Sequence, residues 1–325
     1  MKRKLFSPPA VIVFGTIFLY FFSSFVIRKP AIIDPALQVQ LGSKLFADPI
    51  LSGNGMVSCA SCHKPEFAFA DDLPLSLGVN AQNTARNTPT AMYQVRKTNY
   101  FWDGRAHSLE EQAKGPITNP KEMNGSIQED LRRLRKNKSY DSLFLRVYGN
   151  HPDSVSLLKA IAAFENSLAY YDSPYDRFLK GDDSAMSPAA IRGFRLFFRK
   201  NSCSNEACHH GVDFSSDSMV NIGIYSDKDR GLADLTKRPE DIGRFKSPTL
   251  RNIALTAPYM HDGSHKTLRE VIDYYNDMKH FPINGNTHPD VKEQGERPMS
   301  EQSINDLIAF LESLTDYRLM NKKPH

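Results

Sequence analysis

Residues 58–64 read SCASCHK, and this stretch decides what the rest of the chain has to be. Two thiols separated by two residues and followed at once by an imidazole make the C-x-x-C-H pattern of covalent haem attachment. Cys59 and Cys62 form thioethers with the porphyrin vinyl groups in such a motif, and His63 is carried under the ring to ligate iron. The only other cysteines, Cys203 and Cys208, lie in CSNEACHHG, residues 203–211. They too precede a histidine, His209, but four residues separate them. Cys208 and His209 keep the adjacency that ties one thioether to the proximal ligand. Each inserted residue adds at most ~3.6 Å of reach, so the extra pair can loop out while Cys203 still meets its vinyl group. A single thioether through Cys208 is the alternative, and the motif assigns the iron to His209 rather than to the adjacent His210.

Three other readings of the cysteines are weaker. Local disulfides leave both following histidines as coincidences. A zinc site needs four converging ligands, which two clusters so far apart in sequence would have to supply together. A thioredoxin-like redox pair calls for a βαβ context, and none is visible.

Outward from the motifs, apolar residues recur at helical spacing over 34–47, 154–170, 187–199 and 300–315. Ser187 before Pro188 is a helix start, and Ser108 with Glu111 and Thr267 with Glu270 are capping boxes. No run of alternating strands is present, so the expected class is all-α. An internal repeat is more informative. GSKLF (42–46) precedes Cys59 as GFRLF (193–197) precedes Cys203. Thr90 of TPT stands as far before Asp103 of FWDGR as Thr249 of SPT stands before Asp262 of YMHDG. Each half runs helix, haem motif, long loop, PT element, DG turn, capped helix, which predicts two cytochrome c-like domains in tandem. The expected boundaries are 1–30 for an N-terminal segment, 31–175 and 176–325, with the join in the polar, turn-rich stretch 173–188.

Residues 9–27, PAVIVFGTIFLYFFSSFVI, are uncharged and near the ~20 residues a membrane-crossing helix needs. Lys2, Arg3, Lys4, Arg28 and Lys29 flank them, and no small-x-small cleavage site follows, so an uncleaved anchor is expected. Lys2 to Lys4 favour a cytoplasmic N-terminus, with the remainder outside. The formal charge of +4 comes from those five basic residues, leaving 36 basic against 37 acidic. Nothing in that balance points to nucleic acid.

LGSKLFADPILSGNGMVSCASCHKPEFAFAD (41–71), RNTPT (86–90), FWDGRAHSLEEQAKGPITNPKEM (101–123), FKSPTLRN (245–252), LTAPYMHDGSHKTLREV (255–271) and AFLESLTD (309–316) resemble the bacterial dihaem cytochrome c peroxidase and MauG family. The likeness covers about residues 40 to 318. It implies reduction of hydrogen peroxide to water, with a peroxidatic N-terminal haem and a C-terminal haem that collects electrons from a small periplasmic donor, a cytochrome c or cupredoxin. By register it makes Glu122 the distal proton shuttle, Gln112 the residue that orients peroxide, and Trp102, the only tryptophan, a bridge between haems. It also implies a calcium ion held by Asn87 and backbone carbonyls near Thr256 and Pro258. The protein is expected at the periplasmic face of the inner membrane, with a homodimer left open.

Two departures bear on mechanism. Many relatives carry a histidine before RNTPT that caps the resting N-terminal haem. The loop here, DDLPLSLGVNAQNTARNTPT (71–90), has none, and Val79 stands near its place. The expectation is an open sixth position, active without prior reduction; His107, the nearest histidine, is the substitute ligand to consider. The distal ligand of the C-terminal haem, a methionine in high-potential relatives, falls on Tyr275, as in MauG-like members. Met260, Met278, Tyr274 and an open site are the alternatives. Two other functions therefore stand beside the peroxidase: a MauG-like oxidase that modifies a partner protein through a high-valent bis-haem state, and a dihaem electron carrier. A carrier needs no proton shuttle, which argues against the last.

Overall fold

The computed structural model describes residues 33–199, 203, 204, 206, 208–277, 287–289 and 298–320. Among them no helix is long and apolar enough to cross a membrane. The expected span, residues 9–27 of the segment 1–30, lies outside the described residues, as does Met278.

Helix α1 (Pro35–Ala47) starts where Asp34 accepts hydrogen bonds from the backbone of Ala36 and Leu37, and buries Leu41, Leu45 and Phe46 at helical spacing. Helices α2 (Leu109–Thr118), α3 (Ile127–Lys136) and α4 (Lys138–Tyr148) follow, and α5 (Ser154–Asn166) packs across α1. Their apolar faces close a first core around Leu41, Leu45, Tyr140, Phe144, Leu157 and Ile161. After α6 (Pro174–Leu179), α7 (Pro188–Phe197) packs across α10 (Glu301–Glu312) in the same manner, with the short α8 (Ala233–Thr236) and α9 (Leu268–Asn276) between them. The second core gathers Tyr175, Phe197, Phe214, Ile304, Leu307 and Phe310. A last turn, α11 (Tyr317–Met320), returns Leu319 to the first core.

The repeat seen in the sequence is a repeat of contacts. A Cβ on Gly42 would stand 1.9 Å from the carbonyl oxygen of Ala160, and one on Gly193 would stand 1.9 Å from that of Asp306. The glycines of GSKLF and GFRLF are thus the points where each half's first helix touches its last, and only hydrogen fits there. Ser108 and Thr267 each accept from the backbone three residues on, at 3.1 Å. The glutamates of the two boxes reach one residue further back than a capping box requires, to the N–H of His107 and of Lys266.

Two expectations need correction. The class is helical, but Met219–Asn221 and Arg244–Lys246 pair as an antiparallel ribbon, β1 and β2. Three-residue strands are too short to leave an alternating pattern. The stretch 173–188 is not simply a polar join: it contains α6, whose Asp176 takes two hydrogen bonds from the buried Arg251, at 2.9 and 3.0 Å.

The halves interlock reciprocally. The residue before TPT, Asn87, donates its backbone N–H to the carbonyl of His261 at 2.8 Å, and the residue before SPT, Lys246, donates to the carbonyl of Trp102 at 2.7 Å. Each half's PT element is therefore tied to the other half's DG turn. Arg86 adds side-chain bonds across the same seam, to Asp103 of its own half at 2.7 Å and to Asp229 of the other at 2.7 and 2.8 Å.

Candidate active site

A cavity of about 790 Å³ runs through both halves. Cys59, Cys62 and His63 line one end of it, and Cys203, Cys208 and His209 line the other. Cys59 and Cys62 are free thiols, and burial pushes Cys59 up to about 12 and raises Cys62 as well. A redox-active pair would need the opposite shift, toward thiolate. Among the described residues no group of three or more His, Cys, Asp or Glu side chains is arranged to hold a metal ion by itself, so the zinc reading finds no site.

The two histidines are presented identically. His63 donates Nδ1–H to the carbonyl of Phe69 at 2.9 Å, with the Pro89 carbonyl as a second partner. His209 donates Nδ1–H to the carbonyls of Phe214 at 3.2 Å and Pro248 at 3.1 Å. A carbonyl can only accept, so Nδ1 carries the proton in both rings and Nε2 keeps its lone pair. Burial holds His63 below its ordinary value and brings His209 down to about 4, so both stay neutral, as iron ligation requires. The exposed His210 has no such anchoring.

These bonds explain the PT element. Pro89 and Pro248 supply the carbonyls that orient the histidines, while Thr90 and Thr249 each donate a hydroxyl, at 2.6 Å, to Ala68 and Asp213, the residues preceding the other two acceptors. Cysteines beside imidazoles with oriented Nε2 atoms, in one cavity, fit two covalently tethered haems.

Gln112 on α2 and Glu122 just beyond it line the cavity at the His63 end. Burial raises the Glu122 carboxyl, opposed by the nearby Arg105 cation and by Asn119, whose amide donates to Oε1 at 2.8 Å. Arg105 is itself fixed by Asp103 at 2.9 and 3.0 Å and lies 3.5 Å from the Phe101 ring centroid. Val79 is buried, with its N–H on the carbonyl of Glu122 at 2.8 Å. His107, the substitute ligand, faces away: its ring meets the Thr98 carbonyl at 3.4 Å and does not line the cavity.

Trp102 lies at the seam, its indole N–H on the carbonyl of Asn87 at 2.8 Å. His261 is its counterpart in the repeat, and their ring centroids are 6.4 Å apart. Phe245 stacks on His261 at 3.7 Å, which extends the aromatic contact toward the second half. Asn87, Thr256 and Pro258 also line the cavity, and the Asn87 amide nitrogen lies 3.3 Å from the carbonyls of Leu73 and Pro74.

Tyr275 and Met260 line the cavity at the Cys208 end, and burial, with Cys208 and Tyr274 nearby, raises the Tyr275 phenol. Tyr274 is turned aside: its hydroxyl donates to the carbonyl of Ile222 at 2.6 Å and it does not line the cavity. Neighbours in a helix point about 100° apart, so only one of this pair can face inward.

Three wall residues carried no sequence signal of their own. Glu165, inside the apolar periodicity of α5, is 7% exposed, and burial followed by the charge of Glu110 raises it to about 8. Lys97, from a loop of the first half, and Lys246, at the end of β2 in the second, are brought near one another in the cavity wall.

Two helical lobes, each presenting a tethering motif and an oriented imidazole to a shared cavity, with Glu122 and Gln112 in the wall that holds His63, define a dihaem c-type protein of enzymatic kind. The family model for di-haem cytochrome c peroxidase matches residues 36–184. Over 282 residues the chain is 38% identical to the methylamine utilization protein MauG of Methylorubrum extorquens, covering 85% of this chain and 78% of that one. It is 34% identical over 289 residues to the cytochrome c551 peroxidase of Pseudomonas aeruginosa, covering 86% and 78%. The crystal structure of a MauG-like protein associated with microbial copper homeostasis superposes with a TM-score of 0.79 at 33% identity, covering 87% of this chain and 91% of that one. The chain belongs to the dihaem cytochrome c peroxidase family, a family of oxidoreductases that carry two haem c groups.

Proposed function

We propose that the chain reduces hydrogen peroxide to water at the His63 end, with electrons entering at the His209 end from a small cytochrome c or cupredoxin. The observation that carries this reading is the company His63 keeps: Gln112 and Glu122 line the cavity with it, and the Glu122 charge lies close enough to Cys62 to raise that thiol. The haems, when bound, supply the iron that binds peroxide and the two electrons that divide its O–O bond. The rest falls to side chains. Gln112 hydrogen-bonds and orients the peroxide. Glu122, ionised, takes the proton from the oxygen nearer the iron and returns it to the farther one, so that water leaves and not hydroxide. Burial raises its carboxyl, which makes the carboxylate a better base for taking that proton. One peroxide, two electrons and two protons yield two waters.

Several finer features belong to the same proposal. A haem held by His63 would take peroxide without prior reduction, because the loop before Asn87 holds no histidine to compete for it and His107 points elsewhere. Tyr275 would join His209 in holding the second haem. Trp102 carries electrons between haems, and residues 31–175 and 176–325 are the two haem domains. A calcium ion binds Asn87 with the carbonyls of Thr256 and Pro258. Residues 9–27 anchor the protein at the periplasmic face of the inner membrane.

The test is steady-state oxidation of a reduced small c-type cytochrome by peroxide. Two donors consumed per peroxide, and a loss of ~10²–10⁴-fold in Glu122→Gln, are expected; no donor oxidation above the uncatalysed rate refutes the proposal. Tyr275 favours a second reading. Phenolate ligation stabilises ferric iron and suits storage of oxidising equivalents for the modification of a partner protein. Peroxide-treated protein that stays oxidised in the presence of reduced donor would select that reading.

A further inference from the structure

The seam contains two ammonium groups whose hydrogen-bond donors the described protein groups leave largely unsatisfied. Lys246 follows Phe245 on β2 and lines the cavity, with a side chain only 14% exposed. Among the described residues its ammonium, which carries three N–H donors, has one hydrogen-bond acceptor, the carbonyl of Asn99 at 2.9 Å. Lys97, from the loop before Trp102, lines the same wall. It reaches no acceptor closer than the carbonyl of Ser215 at 3.5 Å, and stands close enough to oppose the charge on Lys246.

The carboxylates near this pair offset its charge but give its ammonium groups no close hydrogen bond. Asp217 Oδ1 is 4.0 Å from the Lys246 ammonium, buried, and accepts no hydrogen bond, while Oδ2 is turned to the backbone N–H groups of Thr98 and Asn99 and the Thr98 hydroxyl. Asp213 is engaged by the Tyr171 hydroxyl at 2.8 Å and by Arg96 at 3.5 Å. Arg96 is more than half exposed, so the cations of the desolvated wall are Lys97 and Lys246, whose N–H donors are largely without acceptors. Unsatisfied ammonium donors in such a wall call for an anionic partner, and burial lowers both lysines from their ordinary value, Lys246 to about 8.

The cavity's own cofactor brings anions with it, since each porphyrin carries two carboxylate side chains. We propose that Lys97 and Lys246 together clasp a carboxylate of the haem tethered at Cys208, and that this paired charge raises that haem's reduction potential. The location favours this haem. Ser247, the residue after Lys246, donates its hydroxyl to the carbonyl of Cys208 at 2.6 Å, and Ser215, whose carbonyl faces the Lys97 ammonium, donates its hydroxyl to the carbonyl of Ser247 at 2.7 Å. Lys246 also occupies the repeat position of Asn87, with its backbone bonded to Trp102. One lysine from each half makes the clasp a product of their apposition. The cations favour the ferrous state because reduction removes one positive charge from the iron. The lysines are positioning residues: they touch the cofactor's edge and not the reacting peroxide.

The inference rests on the two-haem content and not on peroxide turnover, so either can fail alone. The test is a spectroelectrochemical titration of the holoprotein with both haems in place by mass. It is run in a Cys203→Ser background, where the unreacted vinyl group displaces the absorption of the C-terminal haem and identifies it. Lys246→Gln and Lys97→Gln are each expected to lower that haem's ferrous-to-ferric ratio about tenfold at the parent midpoint, equivalent to about 59 mV for one electron; Lys246→Arg is expected to keep the parent potential. Should Lys246→Gln fail to load both haems, the half-buried Lys97 alone decides the matter. Unchanged potentials in the glutamine variants, or a shift confined to the N-terminal haem, overturn the proposal.

Discussion

Replacing Glu165 by glutamine should stabilise the folded protein by an amount that grows with pH. The Glu165 side chain is 7% exposed in the wall of the cavity, and burial, with the charge of Glu110 second, raises its carboxyl from 4.5 to about 8. Below pH 4.5 the group is neutral whether the chain is folded or not, and it costs nothing. Between 4.5 and about 8 the unfolded chain ionises while the folded one does not, so the folded state loses ~1.4 kcal/mol for each pH unit. Above about 8 the penalty is complete, on the order of 4–5 kcal/mol. Glutamine keeps the shape and cannot ionise, so Glu165→Gln escapes the penalty throughout. Urea unfolding of the two holoproteins, followed by far-ultraviolet circular dichroism from about pH 4 to about pH 9, measures the difference. The curves should meet near the acid end and diverge toward pH 8, with the variant more stable. A difference that is flat across this window, or that favours wild type as pH rises, would refute the reasoning.

Other consequences are equally concrete. Gly42→Ala and Gly193→Ala each place a methyl group against a backbone carbonyl that cannot rotate away. Each should cost about 1–3 kcal/mol in the urea midpoint, more than the ~1 kcal/mol alanine returns in helix propensity. Because burial raises the Glu122 carboxyl, the acid limb of peroxide turnover should have its midpoint above the ordinary 4.5, and Glu122→Gln should lose that limb along with most of the rate. Cys203→Ser should still carry two covalent haem masses, the second held through Cys208 alone; a single haem mass would show that Cys203 is essential to attachment.

The fold was legible from the sequence because its repeat is carried by local chemistry. Glycines that admit a helix crossing, serine and threonine caps, and cysteines next to histidine all leave their mark within a few positions. The orientation of His63 and His209 was legible only as the unexplained recurrence of PT, because the acceptors are carbonyls, and a carbonyl has no letter of its own. Arg86 was invisible for a different reason: its partner Asp229 is 143 positions away, and no periodicity relates them. Glu165, Lys97 and Lys246 read individually as ordinary helix or loop charges, and only the closure of the cavity removes them from water. In the second half the family register pointed to Tyr275, with Tyr274 among the alternatives, and only the fold shows that Tyr275 lines the cavity while Tyr274 is bonded to the carbonyl of Ile222. The ribbon of β1 and β2 was missed because three residues per strand carry no pattern, although that ribbon is what brings Lys246 to Trp102.

The proposed function places peroxide reduction beside His63, at a haem that would react without prior reduction and be served by Gln112 and Glu122. Stopped-flow mixing of the fully oxidised holoprotein with one equivalent of peroxide, without donor, tests it most directly. The account predicts an immediate change in the Soret absorption that Glu122→Gln slows and that added reduced cytochrome c reverses with two electrons. An oxidised protein that stays spectrally silent until one haem has been reduced would contradict it.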